Sequence, residues 1–152
     1  MNKKVLRTLE FEKITERLSD LCDSPFAKER ARRIKPLCDR GKIISLQAET
    51  SASLNRILRY DKPSFSGLRD IRPHLKLLAK GSTLGISELL DIERLLEIAK
   101  SAKNSDAKVS DQTDVLSGIF HSLSDIPDVQ SEISRCIKGP DEMADDASAT
   151  LS

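Results

Sequence analysis

Ser87-Glu88-Leu89-Leu90-Asp91-Ile92-Glu93-Arg94-Leu95-Leu96-Glu97-Ile98-Ala99 puts Leu89, Ile92, Leu95, Leu96 and Ala99 at the three- and four-residue spacing of one helix face. Ser87 stands where an N-cap belongs. No other stretch is so regular, and the chain reads outward from it as more helix. Upstream, Leu68, Ile71, Leu75, Leu78 and Ala79 predict a shorter helix, with Pro73 tolerable only near its start and Gly81 as its C-terminal cap. The run from Lys62 to Gly67 is a loop by composition. Before it, Asp39 caps a longer helix whose buried candidates are Ile43, Leu46, Leu54, Ile57 and Leu58. The small polar middle of that helix, Gln47 to Ser53, either packs closely or lies exposed.

Nearer the start, Ser24-Pro25 combines an N-cap with proline in the first turn. The helix it opens carries Phe26, Ala27, Ala31 and Ile34 on one side and stops before Pro36. Thr8 caps the preceding helix, with Phe11, Ile14, Leu18 and Leu21 on its apolar face. Downstream, Lys103 to Ser110 is polar and expected to be loose. Weaker helical patterns follow over Val115, Leu116, Ile119, Phe120 and Leu123, then over Val129, Ile133, Cys136 and Ile137. The expected fold is all-α: a multi-helix core over 1–138, then an irregular acidic segment over 139–152.

Composition agrees with that class. Aromatic residues make up 3% of the 152, and there is no tryptophan, so Leu, Ile and Ala must build the core. No apolar run approaches the roughly 20 residues of a membrane span. The charged N-terminus is not a secretory signal, so the expected compartment is the cytoplasm. Cys22, Cys38 and Cys136 are odd in number and widely spaced, which predicts reduced, structural thiols.

Chemistry is sparse. There is no G-x-x-x-x-G-K-[ST] loop and no G-x-S-x-G elbow, and His74 and His121 form no metal-binding spacing. The acid pairs Glu10/Glu12 and Asp145/Asp146 have no apolar surroundings that would tune them for proton transfer. We therefore expect no catalytic residue, no cofactor and no metal within this chain.

The best functional signal is charge. The net value is only +1, but a basic first half is set against an acidic tail. Arg30, Arg32, Arg33 and Lys35 recur three apart, and Arg69, Arg72 and Lys76 follow at three and four. On helices these make cationic stripes that can neutralise phosphates without reading bases. The alternative is a set of solvated faces with local ion pairs. Few aromatic rings are available, which disfavours a single-strand stacking platform.

Particular residues also carry a family resemblance. Leu9-Glu10-Phe11 followed by Ile14, then Ser24-Pro25 and Glu49-Thr50, resemble the opening of the second-type MutS proteins. The most specific run is Phe65-Ser66-Gly67-Leu68-Arg69-Asp70-Ile71-Arg72-Pro73, where the family commonly has glycine followed by I-R-D-I-R-P. Leu84 and Glu88 to Ile92 fit the next helix. Glu142-Met143-Ala144-Asp145-Asp146-Ala147-Ser148 is similar to an E-[VIL]-x-D-x-A-S motif, after which Ser148-Ala149-Thr150-Leu151 lacks the family's usual S-P-E-L.

The resemblance implies that this is the opening part of the core (lever) region of a longer protein. Full-length members are homodimeric ATPases using ATP and Mg, with a clamp and a C-terminal Smr nuclease-like domain. They act on branched DNA to suppress homologous recombination and on collided ribosomes, hence on rRNA. By that resemblance the chain is a non-catalytic scaffold coupling the clamp to the ATPase and supporting nucleic-acid binding. The alternative is a purely protein-facing module for dimerisation or ATPase packing.

Overall fold

The computed structural model describes residues 3–60, 63–109, 114–145 and 147. Among them are eight α-helices and one short hairpin, so the fold is all-α as the periodicity predicts. The helices are α1 (Lys3–Thr8), α2 (Phe11–Asp20), α3 (Pro25–Arg32), α4 (Arg40–Arg59), α5 (Arg72–Ala79), α6 (Ile86–Ala107), α7 (Ser117–His121) and α8 (Pro127–Cys136). The strands β1 (Ile137–Gly139) and β2 (Glu142–Met143) pair antiparallel, Ile137 opposite Met143 and Gly139 opposite Glu142. The segment expected to be irregular therefore begins in β1, and Ala144, 2% exposed, ties it to α8 by donating to the Cys136 carbonyl at 2.8 Å. Asp146 and Ser148 of the C-terminal motif lie outside the described residues.

Local capping chemistry explains most helix ends. The Ser24 side chain accepts from the Ala27 N–H at 3.2 Å and that of Asp39 from the Lys42 N–H at 3.0 Å, as expected. Gly81, at φ 78°, takes the left-handed position after α5, where its N–H reaches the Leu78 carbonyl and that of Ser82 reaches Leu77, a Schellman end.

Several boundaries differ from expectation: α5 begins at Arg72 and not near Leu68, and Ile137, expected in the last helix, opens β1. Thr8 closes α1 instead of capping α2, its hydroxyl donating back to the Lys4 carbonyl at 3.0 Å; the left-handed Glu10 begins α2. Helix α6 starts one residue before Ser87, with Gly85 as N-cap. Glu88, three residues in, folds its carboxylate back onto this turn, and the Ser87 hydroxyl donates to Glu88 at 3.2 Å instead of capping. A Cβ at Gly85 would lie 2.8 Å from that carboxylate. The stretch from Lys103, expected to be loose, stays helical to Ala107 because Ala102 and Asp106 are buried, at 2% and 7% exposure.

The larger departure concerns which faces are covered. In α2 the buried residues are Thr15 and Ser19, four apart, while Ile14, Leu18 and Leu21 of the expected apolar face point out. These small side chains let α2 lie close against α3, where Ser24 and Ala31 are buried. In α4, Ala48, Ala52, Ser53 and Arg56 are half-buried, whereas Leu46, Leu54, Ile57 and Leu58 are exposed. Leu75 and Leu78 of α5 are exposed as well. The core proper runs along α6 through Ile98 and Ala102 to Leu116, Ile133 and Ile137. The accessible surface is 11636 Å² for 16.9 kDa, against roughly 7,700 Å² for a compact monomer of that mass. Much apolar side chain stays outside.

Candidate nucleic-acid interface

The first basic segment leaves the C-terminal end of α3. Arg30 and Arg32 occupy its last turn, Arg33 is the C-cap, and Lys35 lies beyond the helix. Cations here face the negative end of the helix dipole, which favours them whatever they bind. Arg33 pairs with Glu29 at 2.6 Å. Arg30, Arg32 and Lys35 are exposed and make no ion pair among the described residues.

The second basic segment is not one helical stripe. Proline lacks an N–H and is accepted only in a first turn, so Pro73 lets α5 begin no earlier than Arg72 and leaves Arg69 in the preceding non-helical segment. Arg69 reaches Asp91 of α6 at 3.2 Å, and His74 Nε2 lies 3.3 Å from the other oxygen of the same carboxylate. His74 is thus a half-buried packing group against α6. Arg72 grips Asp70 with Nη2 to Oδ2 at 2.7 Å and Nε to Oδ1 at 2.8 Å, and its backbone N–H donates to Oδ1 at 3.0 Å. The guanidinium bonds first, and the backbone N–H second, hold the Asp70 carboxyl down at about 2. Lys76 is exposed and makes no ion pair among the described residues.

The start of α5 touches the start of α3: the Arg72 guanidinium carbon lies 5.0 Å from the centre of the Phe26 ring. Arg30, Arg32 and Arg33 follow toward the other end of α3 and Lys35 lies beyond it, 37 or more residues from Arg72 in sequence.

The most developed polar cluster lies elsewhere, and the sequence did not announce it. Arg56 of α4, 11% exposed, donates Nη1 to Asp106 Oδ1 at 2.6 Å, Nη2 to Asp114 Oδ1 at 2.5 Å, and Nε to Asp114 Oδ2 at 2.7 Å. It also donates to the Ser117 hydroxyl at 2.9 Å and lies 4.9 Å from the Phe120 ring centre. The hydrogen bond to Asp114 raises the Arg56 pKa against the opposing effect of burial, with Asp106 adding to it, and Arg56 lowers that of Asp114. His121 Nε2 stands 3.2 Å from the second oxygen of Asp106. The partners of Arg56 are 50 to 61 residues away, so no local spacing marks it. Beside the cluster is a cleft of about 170 Å³ whose walls include Tyr60, Phe65 and Phe120.

None of the three cysteines is in a disulfide; Cys38 is exposed and the others are half-buried. Among the described residues no three His, Cys, Asp or Glu side chains gather to hold a metal ion, and no helix is long and apolar enough to cross a membrane.

No family model matches the chain. Individual proteins do. An endonuclease MutS2 of Lachnoclostridium phytofermentans is 40% identical over 99% of this chain and 20% of its own length. Those of Lachnospira eligens and Agathobacter rectalis are 39% and 38% identical over 99% of the chain and 19% of their own lengths. The chain thus spans about a fifth of the length of the curated relatives it matches. With this identity over 99% of its length, the chain belongs to the MutS2 family.

Proposed function

We propose that this chain is a non-catalytic helical scaffold, the N-terminal core region of a MutS2-type protein, that packs its outward apolar faces against the rest of that protein. The observation that carries this reading is the inverted burial: Ile14, Leu18, Leu21, Leu54, Leu58 and Leu75 are each at least 42% exposed while small residues fill the contacts. Apolar surface on that scale marks an interaction site. In this reading ATP and Mg belong to the other four-fifths of the length of such a protein, and the scaffold couples its clamp to its ATPase in the cytoplasm. Packing on a second copy, as in a homodimer, would use the same faces. The test is to purify the chain alone and co-expressed with the remaining length of a MutS2 protein. The isolated chain should bind a hydrophobic dye and self-associate, and co-expression should suppress both. A strictly monomeric chain that binds no dye would refute the scaffold reading.

A second role accompanies it, contact with branched DNA or ribosomal RNA. The relatives are named endonucleases, and the contact between α3 and the start of α5 at Phe26 and Arg72 supports a polyanion surface here. Arg30, Arg32, Lys35 and Lys76 are its free cations, while Arg33, Arg69 and Arg72 hold it together through Glu29, Asp91 and Asp70. Suppression of recombination and action on collided ribosomes would both draw on such a surface. Replacing Arg30, Arg32 and Lys35 with alanine should weaken binding to nucleic acid and reduce its salt slope by about one unit for each phosphate no longer neutralised. An unchanged slope across a salt titration would dismiss these residues.

A further inference from the structure

We infer that the cleft between α4, α6 and α7 seats one unpaired base of a single-stranded nucleic acid; the inference rests on the nucleic-acid role proposed above and gives it a second, distinct contact. The chain has only four phenylalanines and one tyrosine, yet Tyr60, Phe65 and Phe120 all line this cleft. Aromatic scarcity along the sequence therefore hides an aromatic concentration in space. Phe120 already lies beneath the Arg56 guanidinium at 4.9 Å, so Tyr60 and the partly exposed Phe65 are the rings left for a ligand.

Size and charge narrow the occupant. At about 170 Å³ the cleft falls well below the roughly 300 Å³ where pockets for drug-sized molecules begin, which leaves room for a single flat ring or one apolar side chain. Its lining is almost wholly apolar, with Ile57, Pro63, Val109 and Leu116 beside the rings, so the occupant must present a flat or apolar face. Two wider hollows adjoin it. One, of about 460 Å³, shares Arg56, Tyr60 and Val109 with the cleft and carries Arg59; the other, of about 540 Å³, shares Pro63 and Ser105 and carries Lys100. Arg59 and Lys100 make no ion pair among the described residues, whereas the acids of these hollows are engaged, Asp114 by Arg56 and Glu97 by Arg94 at 3.1 Å.

Stacking rings between unpaired cations suit a base flanked by its own phosphates. An acidic peptide with one apolar anchor would find the same cations, but a single aliphatic anchor would make no use of the faces of two aromatic rings, Tyr60 and Phe65. Arg56 takes no part in holding phosphate, because its donors are committed to Asp106, Asp114 and Ser117. It forms the floor that keeps Phe120 in place.

Tyr60 supplies the probe, being the sole tyrosine in a chain without tryptophan. The experiment follows its emission while the full chain is titrated with short oligothymidylate or with an abasic strand of the same length. Oligothymidylate should quench Tyr60 and bind more tightly than the abasic strand. Phe65→Ala should weaken oligothymidylate about ten-fold while leaving the abasic strand unaffected. Phe65→Leu, which keeps apolar volume without an aromatic face, should weaken it too, with circular dichroism confirming that both variants fold. Equal affinity for the two strands without quenching overturns this inference and leaves the polyanion role standing. Failure of either strand to bind overturns both. Release of oligothymidylate by an acidic peptide bearing a leucine, with quenching by that peptide, assigns the cleft to protein and overturns the inference as well.

Discussion

Replacing Arg56 with methionine removes the one cation that joins α4 to α6 and the start of α7, and its cost can be worked from the geometry. Asp106 is 5% exposed in its side chain and would lose its guanidinium, keeping only the exposed His121 Nε2 at 3.2 Å, while Asp114, at 25%, regains part of its hydration. Removing one partner of a buried ion pair typically costs about 3–5 kcal/mol, because the orphaned charge stays desolvated. With one acid fully buried and the other part-hydrated, about 3–4 kcal/mol is the expectation. Native domains hold only about 5–15 kcal/mol in total, so this is a severe loss. At about 2–4 °C per kcal/mol for a chain of this size, Tm should fall by roughly 10 °C.

Urea unfolding followed by circular dichroism measures the loss. The companion variant Arg56→Met/Asp106→Asn/Asp114→Asn removes the orphaned charges and should recover a large part of it. Hydrogen exchange adds a local readout: no residue of α4 is buried, so α4 should exchange fastest once its anchor is gone. A loss below about 1 kcal/mol for Arg56→Met would refute this reasoning and mark the cluster as one more surface ion pair.

Two further outcomes are expected. Asp70 and Asp114 have carboxyls lowered by arginines, Asp70 to about 2, so they stabilise the fold fully above the ordinary carboxylate range and lose that contribution as pH falls through their folded values. The urea midpoint should therefore drop on acidification below about pH 4, and Asp70→Asn should flatten the lowest part of that curve; a midpoint that rises on acidification would contradict the pairing. The Ser19 hydroxyl is fully buried and has no hydrogen-bond partner among the described residues, so Ser19→Ala should stabilise the chain by about 1 kcal/mol, and a loss in thermal melts would point to a polar partner for it.

The elements were readable where local chemistry decides them. Ser24, Asp39 and Gly81 act on groups within three or four residues of themselves, and each behaves as its residue type predicts. Ser87 failed because Glu88 claims its hydroxyl, a competition between neighbours that position alone cannot rank. Arg69 failed because Pro73, four residues on, belongs to the first turn of a helix that begins only at Arg72, which leaves Arg69 out of register with Lys76. The cleft and the Arg56 cluster were illegible for a different reason. They depend on Tyr60, Phe65, Asp106, Asp114 and Phe120 converging from positions up to 60 residues apart, which is tertiary information.

The inverted faces of α2 and α4 are the most instructive case. Periodicity found apolar stripes, Ile14, Leu18 and Leu21 on one helix and Leu54 and Leu58 on the other, and the structure leaves them exposed where burial was expected. Periodicity cannot say what covers a stripe, only that something should. On α2, Thr15 and Ser19 make the close contact with α3, because small side chains let helices approach, while on α4 Ala48 and Ala52 are half-buried and the large side chains lie outside. A chain evolved to stand alone would turn such stripes inward, since each exposed leucine forgoes about 1.5–3 kcal/mol of burial. In a segment matching a fifth of its relatives' length, those stripes are where the remaining length is expected to pack. The same residues that make the isolated chain marginal would then make the assembled protein stable.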